Sequence, residues 1–111
     1  MEPPAPVFRY IGDSAETYAF ELVDGADPKK WPDHGGIVVL AQHAPAPVWI
    51  GAVDSVRKFL HSSPELHNAK EGYDATLVYV NPATDDDSRD QIVADLIERY
   101  TPPMNPPINK G

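Results

Sequence analysis

The side chains best suited to chemistry in this chain are few and scattered. Four histidines, His34, His43, His61 and His67, could ligate a metal, and Asp85-Asp86-Asp87 offers a run of carboxylates. Neither set has a metal-binding pattern. No two of the histidines stand four apart, the spacing that puts two imidazoles on one helix face, and the chain has no cysteine to complete a zinc site. The aspartate run does not have the spacing of an EF-hand loop; it suits the positive N-terminal end of a helix. The histidines are read as polar loop and surface groups, with His61 kept as a candidate because it follows the first helix. No serine stands in a G-x-S-x-G turn that would make it a nucleophile. Five further candidates remain. Arg57 and Lys58 could neutralise a phosphate, Asp90 could hold a divalent cation, Asn105 is a late polar group, and Trp49 could stack on a base.

The charge balance bears on which of these chemistries to expect. The chain has 111 residues and a formal net charge of −8, with 17 acids against 9 bases. Nucleic-acid binders usually carry a basic stripe that releases counterions from phosphates. Here the basic clusters, Lys29-Lys30 and Arg57-Lys58, stop at pairs. This disfavours nucleic acid as a partner and favours a protein, in particular one with a basic surface. The first residues lack the basic and apolar regions of a signal peptide, and no apolar run approaches the ~18–20 residues of a membrane span. A cytoplasmic, bacterial-type protein with no membrane partner is the expectation.

The elements that must position these groups can be read from periodicity and punctuation. Proline-rich stretches at 1–6 and 102–111 read as extended tails around one domain, taken as residues 7–105 with flexible ends at 1–6 and 106–111. Val7–Ile11 and Thr17–Leu22 predict a hairpin around Gly12-Asp13-Ser14-Ala15. Residues 24–34 read as a loop. Ile37 to Gln42 is nearly continuous in apolar residues and predicts a central strand, followed by a second strand at Val48-Trp49-Ile50-Gly51. A helix capped by Asp54 or Ser55 should run through Leu60. A second, with Ser63 as cap and Pro64 at its first position, should stop near Gly72. Residues 74–80 predict a further strand. A last helix should start at Thr84 or Asp85, bury Ile92, Val93, Leu96, Ile97 and Tyr100, and end at Pro102. The order of four strands, two helices, a strand and a helix is no βαβ repeat. It predicts an α+β fold with a small antiparallel or mixed sheet flanked by helices.

The spacing of several motifs resembles the GIY-YIG nuclease domain, most closely its small standalone bacterial members. The strand Thr17-Tyr18-Ala19-Phe20-Glu21-Leu22 looks like their T-Y-x-F-E-L opening, Gly36-Ile37 like the first motif and Ile50-Gly51 like the second. Asp95-Leu96-Ile97, Tyr100, Pro102-Pro103 and Asn105 are similar to the end of the pattern. The resemblance covers roughly residues 17–105 and implies a central antiparallel sheet between helices, with an extra hairpin at the N-terminus. It also implies where catalytic groups would lie in active members: a first-motif tyrosine that helps activate water, a second-motif tyrosine, an arginine on the following helix, and a glutamate that binds one divalent metal such as Mg²⁺.

In this sequence those places hold Val38, Trp49, Phe59 and Val93, and Asn105 alone keeps its type. Valine cannot exchange a proton, phenylalanine carries no charge, and Mg²⁺ requires oxygen donors. Arg57 stands two residues from the expected arginine, about 200° around an ideal helix. Asp90 lies one turn before Val93 and offers a displaced carboxylate. The resulting expectation is a nuclease-like scaffold without catalysis or cofactor, in which Val38, Trp49, Phe59 and Val93 pack together where polar groups would converge. The alternatives are a divergent Mg²⁺-dependent nuclease that uses Arg57, His61, Asp90 and Asn105, and a nucleic-acid binder that does not cleave.

Overall fold

A near-unbroken apolar strand demands cover on both of its faces, and that demand organises this molecule. The computed structural model describes residues 6–23, 31–42, 46–82 and 85–105, and of Asp86 the backbone alone. The strands are β1 (Val7–Ile11), β2 (Thr17–Val23), β3 (Gly36–Ala41), β4 (Pro47–Val53) and β5 (Leu77–Asn81). They form one sheet in the order β1-β2-β5-β3-β4, with every neighbouring pair antiparallel. The helices are α1 (Val56–Ser62), α2 (Pro64–Tyr73) and α3 (Asp86–Tyr100). The fold is α+β, and the N-terminal hairpin is an integral part of the sheet, joined to it by the pairing of β2 with β5.

All six residues of β3 are buried, and alternation divides them between two cores. Val38 and Leu40 enter one core with Val48, Val56, Leu60, Ala69, Val78 and Val80, on the face covered by α1 and α2. Ile37, Val39 and Ala41 enter the other with Tyr10, Phe20, Ile50, Tyr79 and Leu96, on the face covered by α3. The second core holds an aromatic cluster: Tyr10 meets Phe8, Phe20 and Tyr100 edge-on at centroid distances of 4.6, 5.4 and 5.6 Å. Such geometry sets the positive edge of one ring against the negative face of the next.

Local signals fix the helix ends. The Ser55 and Ser63 hydroxyls accept from the backbone N–H groups of Lys58 and Leu66, at 3.3 and 3.2 Å. Asp85 accepts from the Ser88 N–H at 3.0 Å and from its hydroxyl at 2.9 Å, and these bonds hold its carboxyl below the usual carboxylate range. One boundary and one cap need correction. α1 continues to Ser62, so His61 lies in its last turn and not after it. α2 does stop near Gly72, at Tyr73, but it is Asp74 and not the glycine that takes the left-handed conformation, at φ 56°, with its N–H bonded to the Ala69 carbonyl. A short polar side chain tolerates that region well enough to replace glycine.

The C-terminal segment also departs from expectation. Residues 102–105 are no loose tail but the cover of an open sheet edge. β4 is the outer strand on its side of the sheet. The Met104 N–H donates to the Val48 carbonyl at 3.0 Å, and Met104 packs against the first core. The Asn105 amide then imitates a strand: its Oδ1 accepts from the Ile50 N–H and its Nδ2 donates to the Ile50 carbonyl, both at 2.9 Å. Two bonds to one residue's backbone satisfy a position that an edge would leave to water. Asn105→Ala should therefore lower unfolding free energy by about 1–3 kcal/mol, from two lost hydrogen bonds. Urea denaturation checks this, with Asn105→Asp, which keeps the acceptor, expected to fall between the two.

Candidate functional site

The chain crosses from β4 into α1 at the place where the sequence points to a site. Opposite the Leu40–Ala41 step the register slips by one residue, so Val48 has no partner across the ladder. Such a bulge turns two successive side chains to one face, and Val48 and Trp49 both join the first core. The Trp49 indole then lies over Gly51, where a Cβ would run into the ring. It stacks on Phe59 of α1 with centroids 5.1 Å apart and planes at 14°. Val38, directly across the ladder from Gly51, is fully buried beneath this layer.

Three of the four positions singled out by the resemblance therefore share an apolar surface: Val38, Trp49 and Phe59. The fourth does not. Val93 packs in the second core with Ile92, Leu96 and Ile97, on the opposite side of the sheet. The expectation that all four fill one cleft is corrected on this point. α1 and α3 cover different faces, and no helix rotation carries Val93 through a sheet.

The polar candidates are dispersed as well. Asp90 is exposed on α3, across the sheet from Arg57, Lys58 and His61 on α1. Asn105 serves the edge of β4 with both ends of its amide. Arg57 is turned away from Phe59, as its helical offset predicts. Its Nε and Nη2 donate to the Trp31 carbonyl at 3.2 and 2.8 Å, and Nη1 stands 3.8 Å from Asp33. It fastens the segment before β3 to α1, together with the N–H groups of Val56 and Arg57, which donate to the carbonyls of His34 and Pro32. Arg57, Lys58 and His61 do line one shallow depression, with Trp31 and Ser62. Among the histidines, His34, His61 and His67 are exposed, His34 against its neighbouring Gly35 carbonyl at 2.7 Å, while His43 lies outside the described residues. Among the described residues no three His, Asp or Glu side chains are grouped to hold a metal ion.

The most elaborate polar cluster lies elsewhere and escaped sequence reasoning. Asp95, on α3, grips the β1–β2 turn: its carboxylate accepts from the Ser14 N–H at 2.8 Å, the Ser14 hydroxyl at 2.6 Å and the Tyr18 hydroxyl at 2.7 Å. Gly12 has no Cβ because one would strike that carboxylate. Five residues further on, the Tyr100 hydroxyl accepts from the Ile11 N–H at 3.1 Å. The bonds to the Asp95 carboxylate are charge-assisted, and such bonds are the stronger ones. The bonds from Ser14, followed by that from Tyr18, hold the Asp95 carboxyl below its ordinary range. Burial, followed by the bond to Asp95, raises the Tyr18 phenol. About eighty residues separate the turn from the helix, so no local pattern announces the contact.

No family model, curated protein or solved structure matches this chain. What the fold and site define is a class: an α+β protein with a five-stranded antiparallel sheet, helices on both faces, and an aromatic stack over Gly51.

Two outcomes test this geometry. Gly51→Ala must move a ring already held by Phe59, so a loss of about 1–3 kcal/mol in unfolding free energy is expected, the usual cost of overpacking. Asp95 sets a pH dependence. Because its folded pKa is depressed, its contribution is fully present above the ordinary carboxyl pKa of about 4 and is lost as pH falls through the folded value. Thermal melts of the native chain and Asp95→Asn should differ at pH 7 and converge in acid.

Proposed function

We propose that this chain is a GIY-YIG-like scaffold that acts by binding, with another protein as its partner, and not by phosphodiester hydrolysis. The observation that carries this reading is the filled sheet face, where the Trp49–Phe59 stack covers Gly51 and Val38 is buried beneath it. Hydrolysis of a phosphodiester needs a cation to neutralise charge and a base to activate water, brought to one point. The side chains able to substitute do not meet: Asp90 is across the sheet, Arg57 is engaged by Trp31 and Asp33, and Asn105 is bound to Ile50. The net charge of −8 and the groove between the hairpin and α3, with Glu16, Asp95 and Glu98 in its lining, favour a basic protein surface as partner.

One observation favours a second reading, a nucleic-acid binder that does not cleave. Arg57, Lys58 and His61 gather around one depression on an otherwise acidic chain. The two are separated by incubating the purified protein with supercoiled DNA, single-stranded DNA and RNA in Mg²⁺ or Mn²⁺. The expected result is intact substrate and no binding that depends steeply on salt. Cleavage that disappears in Asp90→Ala would overturn the binding reading. Retention at low salt that weakens in Lys58→Ala would replace the protein partner by nucleic acid.

A further inference from the structure

The sheet has two outer strands, and the chain treats them differently. β4 is covered by residues 102–105, whereas β1 is paired, among the described residues, with β2 alone. The hydrogen-bond phase shows what β1 presents outward. The Leu22 N–H donates to the Pro6 carbonyl and the Gly12 N–H to the Glu16 carbonyl, so the bonded partners across the β1–β2 ladder are the even-numbered residues of β1. In an antiparallel ladder the alternate residues then direct both backbone groups away from the partner strand. These are Val7, Arg9 and Ile11, and of their N–H groups that of Ile11 is already held by Tyr100. Their side chains share one face, opposite Tyr10 and Phe8. Val7 and Ile11 are 42% and 47% exposed, two of three large hydrophobic residues so exposed among the described residues, and Arg9 between them is exposed as well.

We propose that the β1 edge, Val7 to Ile11, receives an extended strand from a basic protein partner, in a segment that reads apolar, any, acidic, any, apolar. This rests on the binding reading above and names the surface it uses. Backbone groups of Val7 and Arg9 and the Ile11 carbonyl supply the ladder, as in other strand additions. The side chains supply the choice: apolar residues opposite Val7 and Ile11, and a carboxylate opposite Arg9. A second copy of this chain fits poorly. The symmetric register that matches Val7 to Ile11 sets Arg9 against Arg9, and like charges directly opposite destabilise a pair. Two chains of net charge −8 also repel. Basic residues flanking the acidic centre of a partner's strand answer that same net charge.

The probe is a short synthetic peptide, lysine-valine-threonine-glutamate-threonine-valine-lysine, titrated to millimolar concentration into the ¹⁵N-labelled chain. The expected result is shifts and slowed exchange at the Val7 and Arg9 amides, with binding weakened about threefold when lysine replaces the central glutamate. Arg9→Pro removes an outward donor without touching the β1–β2 ladder, a place where an edge strand accepts proline. It should lower affinity about tenfold, as the loss of one or two hydrogen bonds implies. Should Arg9→Pro fail to fold, Arg9→Glu serves: it should reverse the preference and bind the lysine-centred peptide more tightly. Absence of shifts on β1, or affinity indifferent to both variants, overturns the proposal. So does dimerisation of the peptide-free chain that Arg9→Pro or Arg9→Glu abolishes. Each of these leaves intact nucleic-acid substrate, and hence the binding reading, unaffected. Cleavage of nucleic acid overturns that reading whatever the peptide does.

Discussion

The rest of the structure depends on one constraint: β3 is apolar on both faces and must be covered on both. Ile37 through Ala41 alternate between two cores, so α1 and α2 have to lie on one side of the sheet and α3 on the other. Burial of this kind is the main driving force of the fold, at about 25 cal/mol per Å² of apolar surface. Once it is satisfied, the positions of the helices are no longer free. Groups on α1 and groups on α3 are separated by the sheet, and this separation decides what chemistry the chain can assemble.

The polar interactions then serve to tie the ends of elements to that frame. Asp95 and Tyr100 hold the β1–β2 hairpin to α3, Arg57 holds the segment at Trp31–Asp33 to α1, and Arg89 of α3 reaches the Val53 carbonyl at 2.8 Å. Asn105 closes one sheet edge. In each case a side chain from one element satisfies backbone groups of another that is distant in the sequence. Residues that a motif reading assigns to a site, Arg57 and Asn105 among them, prove to be fasteners. Their hydrogen-bonding capacity is directed inward, at the chain's own backbone. On the sheet surface the aromatic stack of Trp49 and Phe59 likewise packs against the chain itself, over Gly51.

The proposed binding relies on backbone groups of β1 that no other described strand pairs. An edge strand with exposed β-branched residues is a hazard unless something selective meets it. Arg9 in its centre is a charge that discourages self-pairing and also a feature by which a partner can be chosen. The acidic groove beside the hairpin lies on the α3 side, at the same end of the sheet as this edge.

Much of the fold was legible in the sequence because its signals are local. The apolar run at β3, the serine caps of α1 and α2, the aspartate cap of α3 and the alternation of Tyr18, Phe20 and Leu22 each act over a few residues. The apolar character of Val38, Trp49 and Phe59 was likewise visible as residue type. What the tertiary structure alone decided is which of these groups meet. Val93 and Asp90 fall on the far side of the sheet because sheet order, not helical spacing, assigns α3 to its face. Trp49 reaches Phe59 because a bulge turns it to the same face as Val48, and a bulge leaves no mark on composition. The grip of Asp95 on Ser14 and Tyr18, and of Asn105 on Ile50, spans distances in sequence over which no periodicity survives. Residue type and short-range spacing determine elements, while juxtaposition follows from burying both faces of one sheet at once.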